Sequence, residues 1–184
     1  MRVITGTFKS RRLKTLPGAA TRPTSDRLRE TLFNVLGAGV RGAVFADCYA
    51  GSGAVGIEAL SRGAEFVYFL ENHRAAVRVI HANLKSLAIG EGYEVLAMDV
   101  AAGLRSLGQR GVRFDIVFLD PPYKDVDAYA RTVALLGESN LLSPAATVVA
   151  EHHRKQALAD RYGALARART LRQGDSTLSF YRAV

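Results

Sequence analysis

Several features that would narrow the possibilities are scarce or missing in this sequence of 184 residues. It has one cysteine, Cys48, so no internal disulfide can form. We expect that thiol to be a small core residue, because no cysteine or histidine lies near it at the spacing of metal ligands. No apolar run approaches the roughly 18 residues of a membrane span, and the first residues lack the apolar core of a signal peptide. The sequence therefore predicts a cytoplasmic protein that binds neither metal nor membrane.

Positive charge is concentrated at the start of the chain. The formal net charge is +8, and residues 1–42 contain nine lysines and arginines against two acidic residues. A basic terminal segment on a nearly neutral body suggests a surface for a polyanion, because neutralised phosphates release counterions. A solvated face that only keeps the protein soluble is the alternative. The residues expected to contact RNA phosphates in this segment are Lys9, Arg11, Arg12 and Lys14.

From residue 43 onward, short apolar runs alternate with amphipathic stretches, which is typical of strand and helix units that build a parallel sheet. Strands are predicted at 43–47, 66–71, 93–98, 114–119 and 147–151, and helices at 54–62, 74–87, 101–109 and 126–136. Two further apolar segments, 164–171 and 178–184, flank a turn sequence and predict a closing antiparallel hairpin. The expected fold class is α/β, a mostly parallel sheet with helices on both faces.

The residues before this repeat form a distinct segment. Residues 1–22 are predicted to be a basic extension with two short strands around residues 6–10, and residues 23–184 a single domain. Thr24 is a candidate N-cap for a helix over 25–36, with Pro23 keeping the preceding chain extended.

A glycine-rich turn follows the first predicted strand of the core. Gly51, Gly53 and Gly56 match the pattern G-x-G-x-x-G, and Glu71 ends the next strand 20 positions after the first glycine. Glycines permit positive φ and close ligand approach, and an acid at the second strand tip can accept both ribose hydroxyls. This pattern fits a dinucleotide as well as S-adenosylmethionine. Asp47 favours the latter, because a carboxylate there can hold the positively charged amino group of that cofactor.

Other residues at the strand ends extend the predicted cofactor site. Asp99 follows the third strand and is expected either to accept from the adenine amino group or to fix the neighbouring loop. Tyr49 is expected to pack beside the glycine-rich turn. The full set of expected cofactor contacts is Asp47, Tyr49, Ala50, Gly51, Ser52, Gly53, Gly56, Glu71, Asn72, Asp99, Val100 and Asp120.

The fourth predicted strand leads directly into Asp120, Pro121, Pro122 and Tyr123, which we interpret as the catalytic turn. An amino group on a base is a poor nucleophile because its lone pair is delocalised into the ring. The Asp120 carboxylate and the Pro121 carbonyl can each accept one N–H and align that lone pair with the reactive methyl. Two successive prolines fix the turn, and Tyr123 can stack on the base. An ordinary proline turn is the alternative for these four residues in isolation.

These motifs, together with residues 22–34 and 49–63, resemble the RsmD family of bacterial 16S ribosomal RNA guanine-N2 methyltransferases. The resemblance covers essentially the whole chain. It implies a class I S-adenosylmethionine-dependent methyltransferase (Rossmann-like) fold with a seven-stranded sheet. It also implies S-adenosylmethionine as cofactor and a guanine of 16S rRNA, within a small ribosomal subunit or its assembly intermediate, as substrate. In such families the segment matching Arg22, Thr24 and Arg29 lies near the pocket, so these residues are candidate contacts for a cofactor carboxylate or RNA phosphate.

Three other functions remain possible from the residues alone. An N6-adenine or N4-cytosine DNA methyltransferase needs the same acceptor pair, but such enzymes usually carry a separate base-recognition domain. A NAD-dependent dehydrogenase fits the glycine pattern, although no hydride-transfer site is visible. An RNA-binding assembly factor without catalysis is disfavoured by the intact Asp120 turn. We expect the protein to be a monomer.

Overall fold

A computed structural model of the chain describes residues 1–16, 25–122, 125 and 127–184. The predictions for Arg22, Pro23, Thr24 and Tyr123, and the predicted boundary after residue 22, lie outside these residues. Among the helices that are described, none is both long and apolar enough to cross a membrane.

Within the described residues, one sheet of eight strands forms the centre of the molecule. The strands are β1 (Val44–Cys48), β2 (Phe66–Leu70), β3 (Tyr93–Leu96), β4 (Phe114–Leu119), β5 (Leu142–His153), β6 (Arg161–Tyr162), β7 (Leu165–Gln173) and β8 (Ser176–Ala183). Their order across the sheet is β3-β2-β1-β4-β5-β8-β7-β6. The strands β1 to β5 are parallel, whereas β8, β7 and β6 are antiparallel. The strands β2 and β3 thus lie on one side of β1, and β4 and β5 lie on its other side. Open α/β sheets leave a crevice at such a reversal of strand order, here between β1 and β4.

Helices cover both faces of the sheet. They are α1 (Asp26–Leu36), α2 (Ala54–Ser61), α3 (Arg74–Ser86), α4 (Val100–Gln109) and α5 (Ala128–Glu138), and a short 3-10 helix spans Gly37–Val40. Alternate strand residues point to opposite faces, so Phe45 packs with the apolar sides of α1, α2 and α3. Ala46 packs with those of α4 and α5. This arrangement confirms the predicted α/β fold with its antiparallel C-terminal hairpin.

Three local predictions need correction. The sheet has eight strands where seven were expected, because Arg161 and Tyr162 add a two-residue edge strand beside β7. The N-cap of α1 is Ser25, whose hydroxyl accepts from the Leu28 N–H at 3.2 Å, so α1 begins after the serine. Within residues 1–16 there is one antiparallel bridge, between Arg2 and Arg12, instead of two strands.

Candidate active site

A cavity of about 770 Å³ lies at the carboxyl edge of the parallel strands, where the strand order reverses. Four of the carboxylates that line it lie at the ends of the parallel strands: Asp47 near the end of β1, Glu71 after β2, Asp99 after β3 and Asp120 after β4. The carboxyl ends of parallel strands meet at one sheet edge, so residues distant in sequence come together there. The cavity volume lies within the range of about 300–1,000 Å³ that is usual for small-molecule sites.

The glycine-rich turn forms one wall of this cavity. Gly51 adopts a φ of +55°, and a Cβ added to it would meet no atom closer than the Tyr49 carbonyl oxygen at 4.0 Å. The Gly51 N–H donates to Glu71 Oε2 at 2.8 Å, and the His73 N–H donates to Glu71 Oε1 at 2.8 Å. The Glu71 carboxylate therefore fixes the turn as well as bordering the cavity.

Asp47 is a buried acid on the cavity wall. Its side chain accepts from the Gly56 N–H at 2.8 Å, and its residue exposure is 2%. The pKa of Asp47 is raised to about 8, chiefly by burial and to a smaller extent by nearby Glu71, while the hydrogen bond from the Gly56 N–H lowers it. A cation placed beside this carboxylate would favour its charged form.

Three residues expected to touch a cofactor do not line the cavity, which corrects those predictions. At Gly56, a Cβ would lie 2.3 Å from the Phe69 ring, so this glycine allows α2 to pack closely on β2. Gly53 is the left-handed N-cap of α2, and its missing side chain leaves room for Ile80. Val100 is 3% exposed and belongs to the core beneath α4.

The remaining predicted cofactor residues line the cavity; they are Tyr49, Ala50, Ser52 and Asn72, besides Gly51 and the four carboxylates. The Asp99 side chain caps α4 by accepting from the Ala102 N–H at 3.1 Å, which matches the alternative that it fixes its own loop. Tyr49 has a φ of +62°, and its hydroxyl lies 2.9 Å from the Thr132 hydroxyl on α5. Tyr49 thus bridges the β1 end and α5.

The turn after β4 continues the cavity wall. Asp120, Pro121 and Pro122 all border the cavity, and the Asp120 N–H donates to the Cys48 carbonyl at 3.4 Å. The Pro122 carbonyl accepts from the Asp125 N–H at 2.9 Å, which closes the turn. The structure thus brings the predicted catalytic turn, apart from Tyr123, into the same cavity as the predicted cofactor residues.

The predicted RNA contacts have two different environments. Lys9, Arg11, Arg12 and Lys14 are exposed. Arg29 is fully buried, donating to Asp26 Oδ1 at 2.9 Å and to the Arg2 carbonyl. Its predicted role as an RNA contact is therefore corrected: Arg29 supports the packing of α1 against the start of the chain.

Several cavity residues were not found from the sequence, namely Met1, Thr15, Leu16, Ala54, Val55, His73, Ala76, Ala101, Phe118, Asp125, Arg131 and Thr132. Arg131 forms an ion pair of 2.7 Å with Asp125. The positions of Met1, Thr15, Leu16, Arg131 and Thr132 depend on how the first residues and α5 pack, which no local motif reveals. Within the described ranges, no group of three or more acidic, histidine or cysteine side chains could hold a metal ion.

Comparison with known proteins identifies the family of this chain. The family model described as "Conserved hypothetical protein 95" matches residues 1–182. A Bacillus subtilis relative named "Putative rRNA methyltransferase YlbH" is 37% identical over 182 residues, covering 99% of this chain and 98% of the relative. An Escherichia coli K12 relative named "Ribosomal RNA small subunit methyltransferase D" is 36% identical over 151 residues, 82% of this chain and 74% of the relative. The chain belongs to the RsmD family.

The fold comparison agrees with this RsmD assignment. A solved structure titled "Putative methyltransferase yhhF from Escherichia coli" matches with a TM-score of 0.87 and 31% identity, covering 100% of this chain and 98% of that chain. The fold is that of class I S-adenosylmethionine-dependent methyltransferases. The site residues fit this cofactor: the open space above Gly51 admits a ligand, and buried Asp47 suits a positively charged amino group.

Proposed function

We propose that this protein transfers a methyl group from S-adenosylmethionine to the exocyclic N2 amino group of a guanine in 16S ribosomal RNA. The observation that carries the proposal is one cavity bordered both by the Asp120–Pro121 turn and by the carboxylates Asp47 and Glu71. A methyl donor and an acceptor base held in a single cavity satisfy the basic geometric need of a transfer reaction.

The cofactor-binding part of the proposal assigns a role to each wall of the cavity. Bound S-adenosylmethionine supplies an electrophilic methyl group on a sulfonium. The Asp47 carboxylate accepts a hydrogen bond from the amino group of the methionine part, and the Glu71 carboxylate accepts hydrogen bonds from the ribose hydroxyls. Gly51 leaves the space that the ligand fills. Asp99 borders the adenine position while it caps α4.

The catalytic part of the proposal rests on the turn after β4. The Asp120 carboxylate and the Pro121 carbonyl accept the two N–H groups of the guanine amino group and orient its lone pair toward the methyl group. Pro121 is buried and Pro122 bonds to Asp125, so the acceptors are held before the substrate arrives. S-adenosylmethionine would supply the methyl group and leave as S-adenosylhomocysteine, and the methylated nitrogen would give one proton to the Asp120 carboxylate that accepts its N–H.

The substrate assignment is supported by the names of the relatives: the Bacillus subtilis name specifies rRNA, and the Escherichia coli name specifies RNA of the small ribosomal subunit. The exposed cations Lys9, Arg11, Arg12 and Lys14 offer phosphate contacts, and Lys14 directly precedes Thr15 and Leu16 of the cavity wall. A monomeric cytoplasmic protein that acts on an assembled small subunit, or on its assembly intermediate, completes the proposal.

An in vitro transfer assay tests this function. The purified protein is incubated with isotopically labelled S-adenosylmethionine and either 16S rRNA or small subunits from cells that lack the protein. The RNA is then digested and its nucleosides are identified by mass spectrometry. We expect labelled N2-methylguanosine, which Asp120→Ala should form about a hundredfold more slowly, or more slowly still, at matched enzyme concentration. Label found only on adenosine N6, on cytidine N4 or on a DNA control would overturn the proposal.

A further inference from the structure

The first 16 residues are fixed tightly to the body of the protein. The buried Glu58 carboxylate on α2 accepts from the Ile4 N–H at 2.7 Å and from the Thr5 N–H at 3.0 Å. Gly6 lies so close to α2 that an added Cβ would be 1.8 Å from the Ser61 carbonyl oxygen. This docking attaches the basic segment to α2 instead of leaving it as a loose arm.

A second attachment joins this segment to the cofactor loop itself. Asn83, on α3, is fully buried. Its Oδ1 accepts from the Lys14 N–H at 2.8 Å, and its Nδ2 donates to the Lys14 carbonyl at 3.1 Å. The same Nδ2 also donates to the Ser52 carbonyl at 2.9 Å. One amide side chain therefore bonds to the basic segment and to the glycine-rich turn at once.

The attachment matters because both partners border the same cavity. Thr15 and Leu16 follow Lys14 directly and line the cavity, and Ser52 lines it from the other side of the Asn83 amide. Met1 lines it as well, and the Ser52 hydroxyl lies 3.8 Å from the Met1 sulfur. A displacement of the basic segment would therefore also shift the wall of the cofactor cavity.

We propose that Asn83 is a positioning residue that couples RNA binding on the basic segment to cofactor binding at the glycine-rich turn. The inference rests on the proposed function, since it takes the cavity ligand to be S-adenosylmethionine and the partner of the segment to be RNA. Phosphates held by Lys9, Arg11, Arg12 and Lys14 restrain the segment, and Asn83 passes that restraint to Ser52. By linkage, the cofactor strengthens RNA binding by the same factor as RNA strengthens cofactor binding.

Hydrogen exchange on the unmodified protein provides the first test. Adding S-adenosylhomocysteine should slow exchange of the Leu13 and Lys14 amides, which bond to the Met1 carbonyl and to Asn83. The amides of β7, on the far side of the sheet, should exchange as before. Binding of the ligand without any change at Leu13 and Lys14 would overturn the coupling and leave the proposed function intact. Failure of the ligand to bind at all would instead overturn the proposed function.

Calorimetric titration of Asn83 variants provides the second test. Dissociation constants for S-adenosylhomocysteine are measured with and without a 16S rRNA transcript. We expect RNA to tighten binding roughly fivefold or more in the parent protein, the lower end of typical coupling factors. Asn83→Asp keeps the acceptor for the Lys14 N–H but loses the donor to both the Lys14 and the Ser52 carbonyls, so the ratio of the dissociation constants without and with RNA should fall close to one.

Controls separate coupling from simple loss of stability. Lys14→Ala removes a charge but keeps the main-chain atoms that Asn83 contacts, so RNA affinity should fall while most of the coupling ratio remains. Thermal unfolding confirms that each variant is folded. A folded Asn83→Asp variant whose ratio equals that of the parent would show that Asn83 is only structural, and a parent ratio of one would overturn the proposal directly.

Discussion

Glu71 Oε2 accepts a hydrogen bond of 2.8 Å from the main-chain N–H of Gly51. The other oxygen of the same carboxylate accepts from the His73 N–H at 2.8 Å. Glu71 therefore connects the end of β2 to the glycine-rich turn after β1. In the proposed function it has a second task, accepting the ribose hydroxyls, so its removal should affect both the turn and the ligand.

Replacement of Glu71 should weaken cofactor binding, and alanine should weaken it more than glutamine. Glu71→Ala removes a charged acceptor and should cost about 1–3 kcal/mol of binding free energy. Glu71→Gln keeps one oxygen acceptor and the side-chain shape, so it should bind more tightly than the alanine variant. Calorimetry with S-adenosylmethionine measures both. Equal affinity of the parent and Glu71→Ala would exclude a role for this carboxylate.

Two glycines of the same motif should respond differently to substitution. Gly51 faces open cavity space, so Gly51→Val should abolish cofactor binding, and its positive φ should cost about 1–3 kcal/mol of stability. Gly56 packs against Phe69, so Gly56→Ala should destabilise the fold by roughly 1–3 kcal/mol of overpacking. Its folded fraction should still bind the cofactor.

Gly39→Val serves as the matched control for this pair, because a Cβ at Gly39 meets nothing within 4 Å and its φ is not in the left-handed region. Thermal unfolding and calorimetry on all three variants distinguish the roles. Retained binding in folded Gly51→Val together with loss of binding in folded Gly56→Ala would reverse the assignment.

Cofactor binding should release a proton from Asp47. Burial raises the pKa of Asp47 to about 8, so the carboxyl is mainly protonated at pH 7 in the free protein. The positively charged amino group favours the charged carboxylate, and affinity should therefore rise with pH from about 6 toward 8, by at most about tenfold per pH unit. Asp47→Asn should bind weakly and without proton release.

Calorimetry in buffers with different ionisation enthalpies counts the released protons. A binding enthalpy that is independent of the buffer would contradict the assignment of Asp47. The same group also links stability to pH. Between its unfolded pKa of about 3.9 and about 8, the folded state holds a proton that the unfolded state has lost, so the free energy of unfolding should fall as pH rises.

The sequence predicted the strands, the helices and the cavity acids because these follow local rules. Apolar periodicity identifies elements, and parallel strands bring their ends to one edge, so Asp47, Glu71 and Asp120 were found. The failures involve packing between distant segments. The motif alone does not show that Gly51 faces the cavity while Gly56 packs in the core. That difference arises because the Phe69 ring lies against Gly56.

Burial accounts for the other sequence errors. Arg29 counted as a surface cation because charge patterns carry no information on burial, yet it lies under the first residues of the chain. Asn83 resembles any polar residue of an amphipathic helix until its contacts with Lys14 and Ser52 are known. Both residues depend on the docking of residues 1–16, which no local pattern specifies.

Removal of the basic side chains should weaken RNA binding and flatten its salt dependence. With Lys9, Arg11, Arg12 and Lys14 all changed to alanine, the log-log slope of affinity against salt should fall by up to about 3, at roughly 0.7 per phosphate. The four side chains are exposed, and the main-chain bonds of Lys14 to Asn83 survive the change. Cofactor affinity without RNA should therefore stay the same.

A matched control removes exposed charge from the opposite end of the strand order. Arg161 on β6 and Arg169 on β7 are exposed, so Arg161→Ala with Arg169→Ala should leave the salt slope unchanged. Filter binding of a 16S rRNA transcript over a range of salt concentrations gives the slopes. An unchanged slope in the quadruple variant would reject the basic segment as the RNA contact.

Mapping of methylated nucleosides in 16S rRNA from cells tests the central claim most directly. Ribosomal RNA is taken from cells that lack this protein and from the same cells complemented with the parent chain or with Asp120→Ala. The account predicts one N2-methylguanosine that disappears without the protein and returns only with the parent. Loss of a transition-state acceptor lowers transfer by about a hundredfold or more, so Asp120→Ala should not restore the mark. Full restoration by folded Asp120→Ala, or an unchanged set of methylguanosines without the protein, would contradict the account.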